Sequence, residues 1–190
     1  MEKLDTRCTW CHGDPLYQRY HDLEWGVPLK DEQALFEFLT LETFQAGLSW
    51  ITVLRKRENF RARFHGFDIK KVACMTAAEI EEAMADAGII RNRAKILAAI
   101  NNAKLVVEMH ERGQSLSDFF WSYVHHNPIQ NQWKAMNEVP ASTPLAEQIS
   151  KDLKKLGFKF MGPTVIYAHM QATGMVNDHL ITCPRHGDLS

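Results

Sequence analysis

The chain has 190 residues, of which 45% are hydrophobic and 24% are charged, with a formal net charge of -1. This composition is typical of a soluble globular protein and excludes a disordered chain. The length allows one domain, 1–190, or two small helical subdomains that share a core, with a cleft between them. The net charge gives no global electrostatic argument for nucleic-acid binding, so any such argument must rest on local patches.

No run of 18 apolar residues is present, which excludes a membrane span. Residues 1–6 are polar and charged, unlike a secretory signal peptide, so we expect a cytoplasmic protein. Four cysteines are too few for a disulfide scaffold. We therefore interpret them as reduced thiols or metal ligands.

The spacing of apolar residues predicts helices joined by short turns. Asp31 is expected to cap the first predicted helix. Thr76 and Glu79 form a capping box for the third predicted helix. Gly88 is expected to close that helix in a left-handed conformation. Gly113 should stop the fourth helix, and Thr143 with Pro144 should begin the sixth. In chain order the predicted helices cover residues 32–44, 50–64, 77–87, 92–112, 117–124, 144–156 and 163–173.

Residues 125–142 are the least regular segment and predict a long connection. No stretch alternates with a period of two, so the predicted fold is all-α.

Cys8, Cys11 and His12 form a C-x-x-C-H string near the N-terminus. Taken literally it is a haem attachment site, but that chemistry belongs to exported proteins, and we expect no export signal here. A redox pair would require a βαβ context, which does not follow. Two incidental thiols are a further alternative.

A metal site is favoured once the C-terminus is included. His179 and Cys183 are four residues apart, which places their ligand atoms on one face of a helical turn. Two thiolates and two imidazoles would form a closed tetrahedral zinc site that ties the chain termini together. Spacing alone leaves the choice open among Cys8, Cys11, His12, His21, His179, Cys183 and His186.

Residues 153–164 predict two helices that flank a turn bounded by Gly157 and Gly162. In a helix–hairpin–helix motif, such a turn directs backbone N–H groups at a phosphate. Lysines 151, 154, 155 and 159 add positive charge. The arginine-rich segments 55–63 and 91–95 are two other basic clusters, unless they are solvated helix faces.

Aromatic residues are concentrated near the N-terminus, at Trp10, Tyr17, Tyr20, Trp25 and Trp50. Near them, Glu42 falls on an apolar stretch, where a carboxylate is costly without a partner. An aromatic cage with one carboxylate suits a flat, electron-poor or cationic guest, whereas core filling is the alternative function of these rings.

Several strings along the chain, in this order, resemble those of the bacterial 3-methyladenine DNA glycosylase I family. They are Asp14-Pro15-Leu16-Tyr17, Tyr20-His21-Asp22, Glu24-Trp25-Gly26-Val27-Pro28, the segments 45–54, 57–61 and 86–91, Gly157-Phe158-Lys159-Phe160, and Val176-Asn177-Asp178-His179.

The resemblance implies a helix–hairpin–helix DNA glycosylase fold with a structural zinc ion, whose ligands would be Cys8, His21, His179 and Cys183. Cys11 and His12 would lie outside the site and depart from the family pattern. The implied activity is hydrolysis of the N-glycosidic bond of 3-methyladenine in duplex DNA by base flipping. A monomer without lyase activity is expected.

The resemblance also implies roles for individual residues. Glu42 and Tyr20 would face the base, Trp50 and Trp10 would stack on it, and Tyr17 and Trp25 would complete the wall. Leu48 would fill the gap that the extruded base leaves, and Gly157, Lys159 and Gly162 would contact DNA.

The wider superfamily carries a catalytic Asp in a Val-Asp-x-His-like context, where this chain has Asn177. Asp178 is one residue out of register. The resemblance therefore implies a narrow enzyme that acts on bases already cationic at the glycosidic bond.

Overall fold

The computed structural model describes residues 6–45 and 47–190. Residues 1–5 and Ala46, which belong to segments used above, lie outside the described residues. The described residues contain ten α-helices: α1 (Pro15–Leu23), α2 (Glu32–Gln45), α3 (Trp50–Arg63), α4 (Ile69–Ala73), α5 (Ala77–Ala85), α6 (Arg93–Glu111), α7 (Leu116–Ser122), α8 (Pro144–Lys155), α9 (Pro163–Ala172) and α10 (Pro184–Asp188).

The seven predicted helices are all present, with ends that differ by a few residues at most. The Asp31 carboxylate accepts from the Ala34 N–H at 2.8 Å, and the capping box of Thr76 and Glu79 is formed. The prediction for Gly88 is wrong. Helix α5 ends at Ala85, and Gly88 does not adopt a positive φ. A Cβ at that position would lie 2.9 Å from the Asn59 side chain, so close packing accounts for the glycine.

Three short helices, α1, α4 and α10, were not predicted. In α1 the Asp14 carboxylate accepts from the N–H groups of Leu16 and Tyr17, and Pro15 occupies the first helical position. This combination is an N-terminal signal that sequence reasoning could have used. The all-α prediction has one minor exception, a two-residue parallel pair of β1 (Ile129–Gln130) and β2 (Val176–Asn177).

Helix α2 lies at the centre of the molecule. Ten consecutive residues of this helix, 35–44, are buried, and α2 contacts α3, α6, α7 and α9. A helix that is buried on all sides must be apolar all round, as α2 largely is. Glu42 lies within this buried and largely apolar stretch of α2. None of the described helices is long and apolar enough to cross a membrane.

Candidate active site

A cavity of about 200 Å³ is lined by side chains from α1, α2, α3 and α9 and from the segments before α1, between α1 and α2, and before α8. Its walls include all six side chains that the resemblance assigned to the base pocket. The lining residues are Trp10, Tyr17, Tyr20, Trp25, Glu42, Gln45, Trp50, Met136, Val139, Ala168 and Gln171.

Aromatic rings form most of this wall. The ring centroid of Trp10 lies 4.7 Å from that of Tyr17 and 5.1 Å from that of Trp25, both edge to face. Tyr20 lies 5.6 Å from Trp50, and Phe38 supports Trp50 from behind at 6.4 Å. Rings held in this way by their neighbours form a rigid cage suited to a flat or cationic guest.

Glu42 is the only acidic side chain among the described residues of this wall and is 4% exposed. Its Oε2 has no hydrogen-bond partner among the described residues. Burial raises the pKa of this carboxyl from 4.5 to about 8. Trp50 Nε1 is a second buried atom without a partner in the described structure. The cavity therefore offers an unused acceptor and an unused donor to a ligand.

The two tyrosines of the wall retain their protons at neutral pH. Burial raises the pKa of Tyr17 to about 12 and that of Tyr20 well above its ordinary value. Tyr20 is 2% exposed and lines the cavity. Neither phenol can serve as a base at pH 7, but both can donate hydrogen bonds.

Cys8, His21, His179 and Cys183 form a buried cluster beside this cage. Their ligand atoms all lie within 4.8 Å of one another. His179 Nδ1 lies 3.2 Å from His21 Nε2, 3.7 Å from Cys8 Sγ and 3.8 Å from Cys183 Sγ. In a tetrahedral site with zinc bonds of about 2.0–2.3 Å, neighbouring ligand atoms lie about 3.3–3.8 Å apart. The donor set and its spacing therefore fit a metal ion.

The imidazoles of this cluster are oriented by hydrogen bonds at their other nitrogen atoms. His21 Nδ1 lies 2.8 Å from Asp22 Oδ1, and His179 Nε2 lies 3.0 Å from the Trp25 carbonyl. Such partners hold a ligating imidazole in its tautomer and orientation. The second bond also connects the cluster to the cage wall, because Trp25 belongs to both.

The other candidate metal ligands that spacing alone left open, Cys11, His12 and His186, lie outside the cluster. Cys11 is buried, and its thiol donates to the Cys8 carbonyl at 3.1 Å. The His12 ring lies 3.1 Å from the Arg7 carbonyl, and His186 bonds the Asn131 carbonyl at 2.7 Å. The expectation that His179 and Cys183 lie on a helical turn is wrong, because both precede α10 in irregular backbone. They converge through the turn that leads into α10.

The turn between α8 and α9 contains the third group of predicted residues. Gly157 has a φ of +94°, which an L side chain rarely adopts. The Lys159 N–H donates to Asn102 Oδ1 at 2.9 Å, and the Asn102 amide donates to the Lys159 carbonyl at 3.1 Å. Gly162 is the N-cap of α9, and a Cβ there would meet nothing within 4 Å. Helix α6 therefore fixes this turn and leaves its outer side open.

Comparisons with known proteins agree with this arrangement. A family model described as methyladenine glycosylase matches residues 10–186. DNA-3-methyladenine glycosylase 1 from Escherichia coli is 53% identical over 177 residues, which cover 93% of this chain and 95% of that protein. The chain belongs to the methyladenine glycosylase family. The resemblance seen in the sequence is therefore confirmed, and the chain is an enzyme, a DNA glycosylase of the 3-methyladenine type.

Solved structures support the same assignment. A crystal structure of 3-methyladenine DNA glycosylase I superposes with a TM-score of 0.91 at 50% identity, covering 94% of this chain and 98% of that one. A Staphylococcus aureus 3-methyladenine DNA glycosylase I, described for its recognition of 3-methyladenine, has a TM-score of 0.89 at 40% identity, covering 93% and 94%.

The two arginine-rich segments of this glycosylase are largely paired with acidic residues. Arg57 bonds Glu24 through both of its terminal nitrogens, at 2.5 and 2.9 Å. Arg61 bonds Glu37 at 2.8 Å. Further pairs are Arg55–Asp14, Arg63–Asp86 and Arg93–Glu81. These five arginines are therefore engaged in ion pairs rather than forming open positive patches. Lys159, by contrast, is exposed on the α8–α9 turn.

Asn177 and Asp178 are both buried and hydrogen-bonded away from the cavity. Asn177 is buried, and its amide donates to Gln130 Oε1 at 2.8 Å and to the His186 carbonyl at 3.0 Å. Asp178 is 1% exposed, and its carboxylate accepts hydrogen bonds from the side chains of Asn131 and Tyr167 rather than bonding the adjacent cluster residue His179. Neither residue lines the cavity.

Sequence reasoning missed five of the residues that line the cavity. Met136 and Val139 come from the segment 125–142, which carried no periodic signal. Ala168 and Gln171 lie on the face of α9 that turns toward the cavity. Gln45, at the end of α2, was quoted within a matching string but received no role. Only the helical spacing of Glu42 and Gln45 offered a signal for any of them.

Proposed function

We propose that this enzyme hydrolyses the N-glycosidic bond of 3-methyladenine in duplex DNA after flipping the damaged nucleotide into the aromatic cavity. The observation that carries the proposal is the Glu42 carboxyl, which is buried in an aromatic cage with an unpartnered Oε2. An isolated buried carboxylate is unfavourable. A cationic base that donates a hydrogen bond would compensate for that cost.

The charge of the lesion explains how such a pocket accelerates the reaction. Alkylation at N3 gives the attached base a positive charge, so it leaves as a neutral molecule and needs little protonation. The pocket has to hold the base, accept from its exocyclic amine and exclude normal adenine. Glu42 accepts that hydrogen bond, and the indole faces of Trp50 and Trp10 favour a cationic ring. Rate is gained where the pocket and its carboxylate stabilise the sugar cation that develops as the neutral base departs more than they stabilise the intact nucleoside.

The remaining polar groups of the cage position the base. The Tyr20 hydroxyl stays protonated and donates to an acceptor on the ring edge, as does Trp50 Nε1. Tyr17 and Trp25 complete the wall and exclude water. Because these groups act as fixed donors and faces, they favour one orientation of the base without transferring a proton.

The enzyme should be narrow in substrate range and monofunctional. The position of the superfamily's catalytic Asp holds Asn177, a neutral amide already engaged in two hydrogen bonds. No carboxylate at that position can assist the departure of a poor leaving group. No lysine lines the cavity within the described residues, so no amine is placed to form a Schiff base with the sugar.

DNA would be held on the side of the molecule where Leu48 and the α8–α9 turn are exposed. Leu48 is 42% exposed and follows Gly47, whose φ is +80°. An apolar side chain there suits the gap left by the extruded base. At the turn, Gly157, Lys159 and Gly162 form a helix–hairpin–helix element whose open side fits a phosphate.

Zinc is the metal that the cluster of Cys8, His21, His179 and Cys183 fits best. Two thiolates and two imidazoles in a buried tetrahedral arrangement form a closed site, which is typical of a structural ion. When bound, the ion would supply a crosslink between the two ends of the chain. The residues around it would then hold Trp25 in the cage wall through His179.

Release of free base from alkylated duplex DNA tests the proposal directly. The wild-type enzyme should release 3-methyladenine, detected by chromatography. Glu42→Gln should bind the free base roughly tenfold to hundredfold more weakly, because a hydrogen bond to a charged group contributes ~1.5–3 kcal/mol. Glu37→Gln is the matched control, since Glu37 is buried on the same helix but paired with Arg61. Equal affinities for wild type and Glu42→Gln would remove Glu42 from the site.

A further inference from the structure

Gln171 of α9 lines the cavity and carries no role so far. We propose that Gln171 determines specificity by presenting its side-chain carbonyl oxygen to the base, and that Asp178 fixes this orientation. The acceptor selects a base with an exocyclic amine and disfavours one with a carbonyl at the same position. This inference rests on the proposed function and assigns one further contact within it.

Asp178 is the centre of a buried hydrogen-bond network. Its Oδ1 accepts from the Asn131 amide at 2.6 Å and from Trp133 Nε1 at 2.8 Å. Its Oδ2 accepts from the Tyr167 hydroxyl at 2.6 Å and from Gln171 Nε2 at 2.8 Å. Four donors from two segments of the chain thus surround one carboxylate that is 1% exposed.

The network determines which end of the Gln171 amide faces the cavity. A carboxylate only accepts hydrogen bonds, so Gln171 must direct its NH₂ group at Asp178. The backbone of Gln171 is held as well, because its carbonyl accepts from the Gly26 N–H at 3.1 Å. The side-chain Oε1 has no hydrogen-bond partner among the described residues and is free to accept from a ligand.

The cavity therefore carries acceptors on two walls, Glu42 on α2 and Gln171 on α9. An exocyclic amine has two N–H donors and can satisfy two acceptors. A carbonyl oxygen at the same ring position would face an acceptor and leave it unsatisfied. Sites built to bond an amine or hydroxyl reject the analogue that lacks it, because buried polar groups are then left unpaired.

Two free bases that carry an amine and a carbonyl at this position test the inference, 3-methyladenine and 3-methylhypoxanthine. Their dissociation constants are measured by quenching of tryptophan fluorescence. Gln171→Leu should bind 3-methyladenine about fivefold to tenfold more weakly, the loss expected for one hydrogen bond. Its affinity for 3-methylhypoxanthine should stay the same or rise.

Asp178→Asn gives the sharper result. Trp133 Nε1 only donates, so the carbonyl oxygen of the new asparagine must stay on the side of Trp133 and Asn131. Its NH₂ group then faces Gln171, which turns its own carbonyl toward residue 178 and its NH₂ toward the cavity. The preference for 3-methyladenine over 3-methylhypoxanthine should fall about tenfold or more.

Tyr167→Phe is the matched control, because it removes a donor from the same Asp178 oxygen without requiring Gln171 to turn. It should lower the melting temperature and leave the ratio of the two affinities unchanged. Metal content is measured for each variant, since residue 178 precedes His179.

Ratios in Gln171→Leu and Asp178→Asn equal to that of wild type would overturn this inference and leave the proposed function intact. Failure of the wild-type enzyme to bind 3-methyladenine or to release it from DNA would overturn the proposed function itself.

Discussion

Replacing Glu42 by glutamine should stabilise the empty protein while it weakens base binding. Burial raises the pKa of this carboxyl to about 8 in the folded chain, from an ordinary value of 4.5. Between those two pH values the unfolded chain loses the proton first, so the wild-type free energy of unfolding falls as pH rises. Below pH 4.5 the buried carboxyl does not lower the free energy of unfolding, and above pH 8 the amount by which it lowers this free energy, its penalty, is constant.

One pKa unit corresponds to about 1.4 kcal/mol, so the penalty at pH 7 has an upper bound of roughly 3 kcal/mol. Water that reaches the cavity reduces it, and we expect about 1–3 kcal/mol. Glutamine has nearly the same shape and cannot ionise. The melting temperature of Glu42→Gln should therefore exceed that of wild type by roughly 3–10 °C at pH 7, and by at least as much at pH 8.

Urea and thermal unfolding at pH 5 and pH 8, at the same salt concentration, measure this effect. The difference between Glu42→Gln and wild type should grow with pH, while effects of pH on the metal cluster are common to both proteins and cancel. Glu37→Gln should gain no such stability, because it loses the ion pair with Arg61. A difference between Glu42→Gln and wild type that is the same at both pH values would refute the reasoning.

Three further predictions concern the metal, the DNA contact and the reaction. Cys8→Ser should lower zinc content and melting temperature, because metal binding is coupled to folding, whereas Cys11→Ser should leave both nearly unchanged; equal zinc loss would overturn the ligand assignment. Lys159→Glu and Gly162→Val should weaken DNA binding, which should also fall as salt rises, and leave free-base binding nearly unchanged. A parallel loss of both affinities would show that the fold had been damaged. Borohydride reduction during turnover should trap no protein–DNA adduct; a trapped adduct would contradict a monofunctional enzyme.

The helices were predictable from sequence because their signals are local. Helix α2 has a long apolar stretch after a capping Asp31, and α8 has Thr143 and Pro144 at its start. Gly88 shows the limit of this reasoning. A glycine after a helix usually serves a left-handed turn, but here it makes room for Asn59 from α3, and such a contact depends on the tertiary structure.

The candidate site was predictable from the sequence only in part. The concentration of aromatic residues near Glu42 indicated the cage from the residues alone. The family resemblance selected the four cluster residues, whereas spacing alone left seven candidate ligands open. The network of Asp178 could not be predicted, because its partners Asn131 and Trp133 lie in the segment without periodicity. Gln171, which also donates to Asp178, lies seven residues before it on α9. Hydrogen bonds between distant segments, such as those from Asn131 and Trp133, leave no local pattern in a sequence.

Single-turnover excision from two matched duplexes tests the central claim most directly. One duplex contains 3-methyladenine, which is cationic while attached to the sugar, and the other contains hypoxanthine at the same position as a neutral leaving group. Because Glu42 favours a cationic base and Asn177 offers no carboxylate, the account predicts release of 3-methyladenine and no measurable release of hypoxanthine. Efficient release of hypoxanthine by the wild-type enzyme would contradict it.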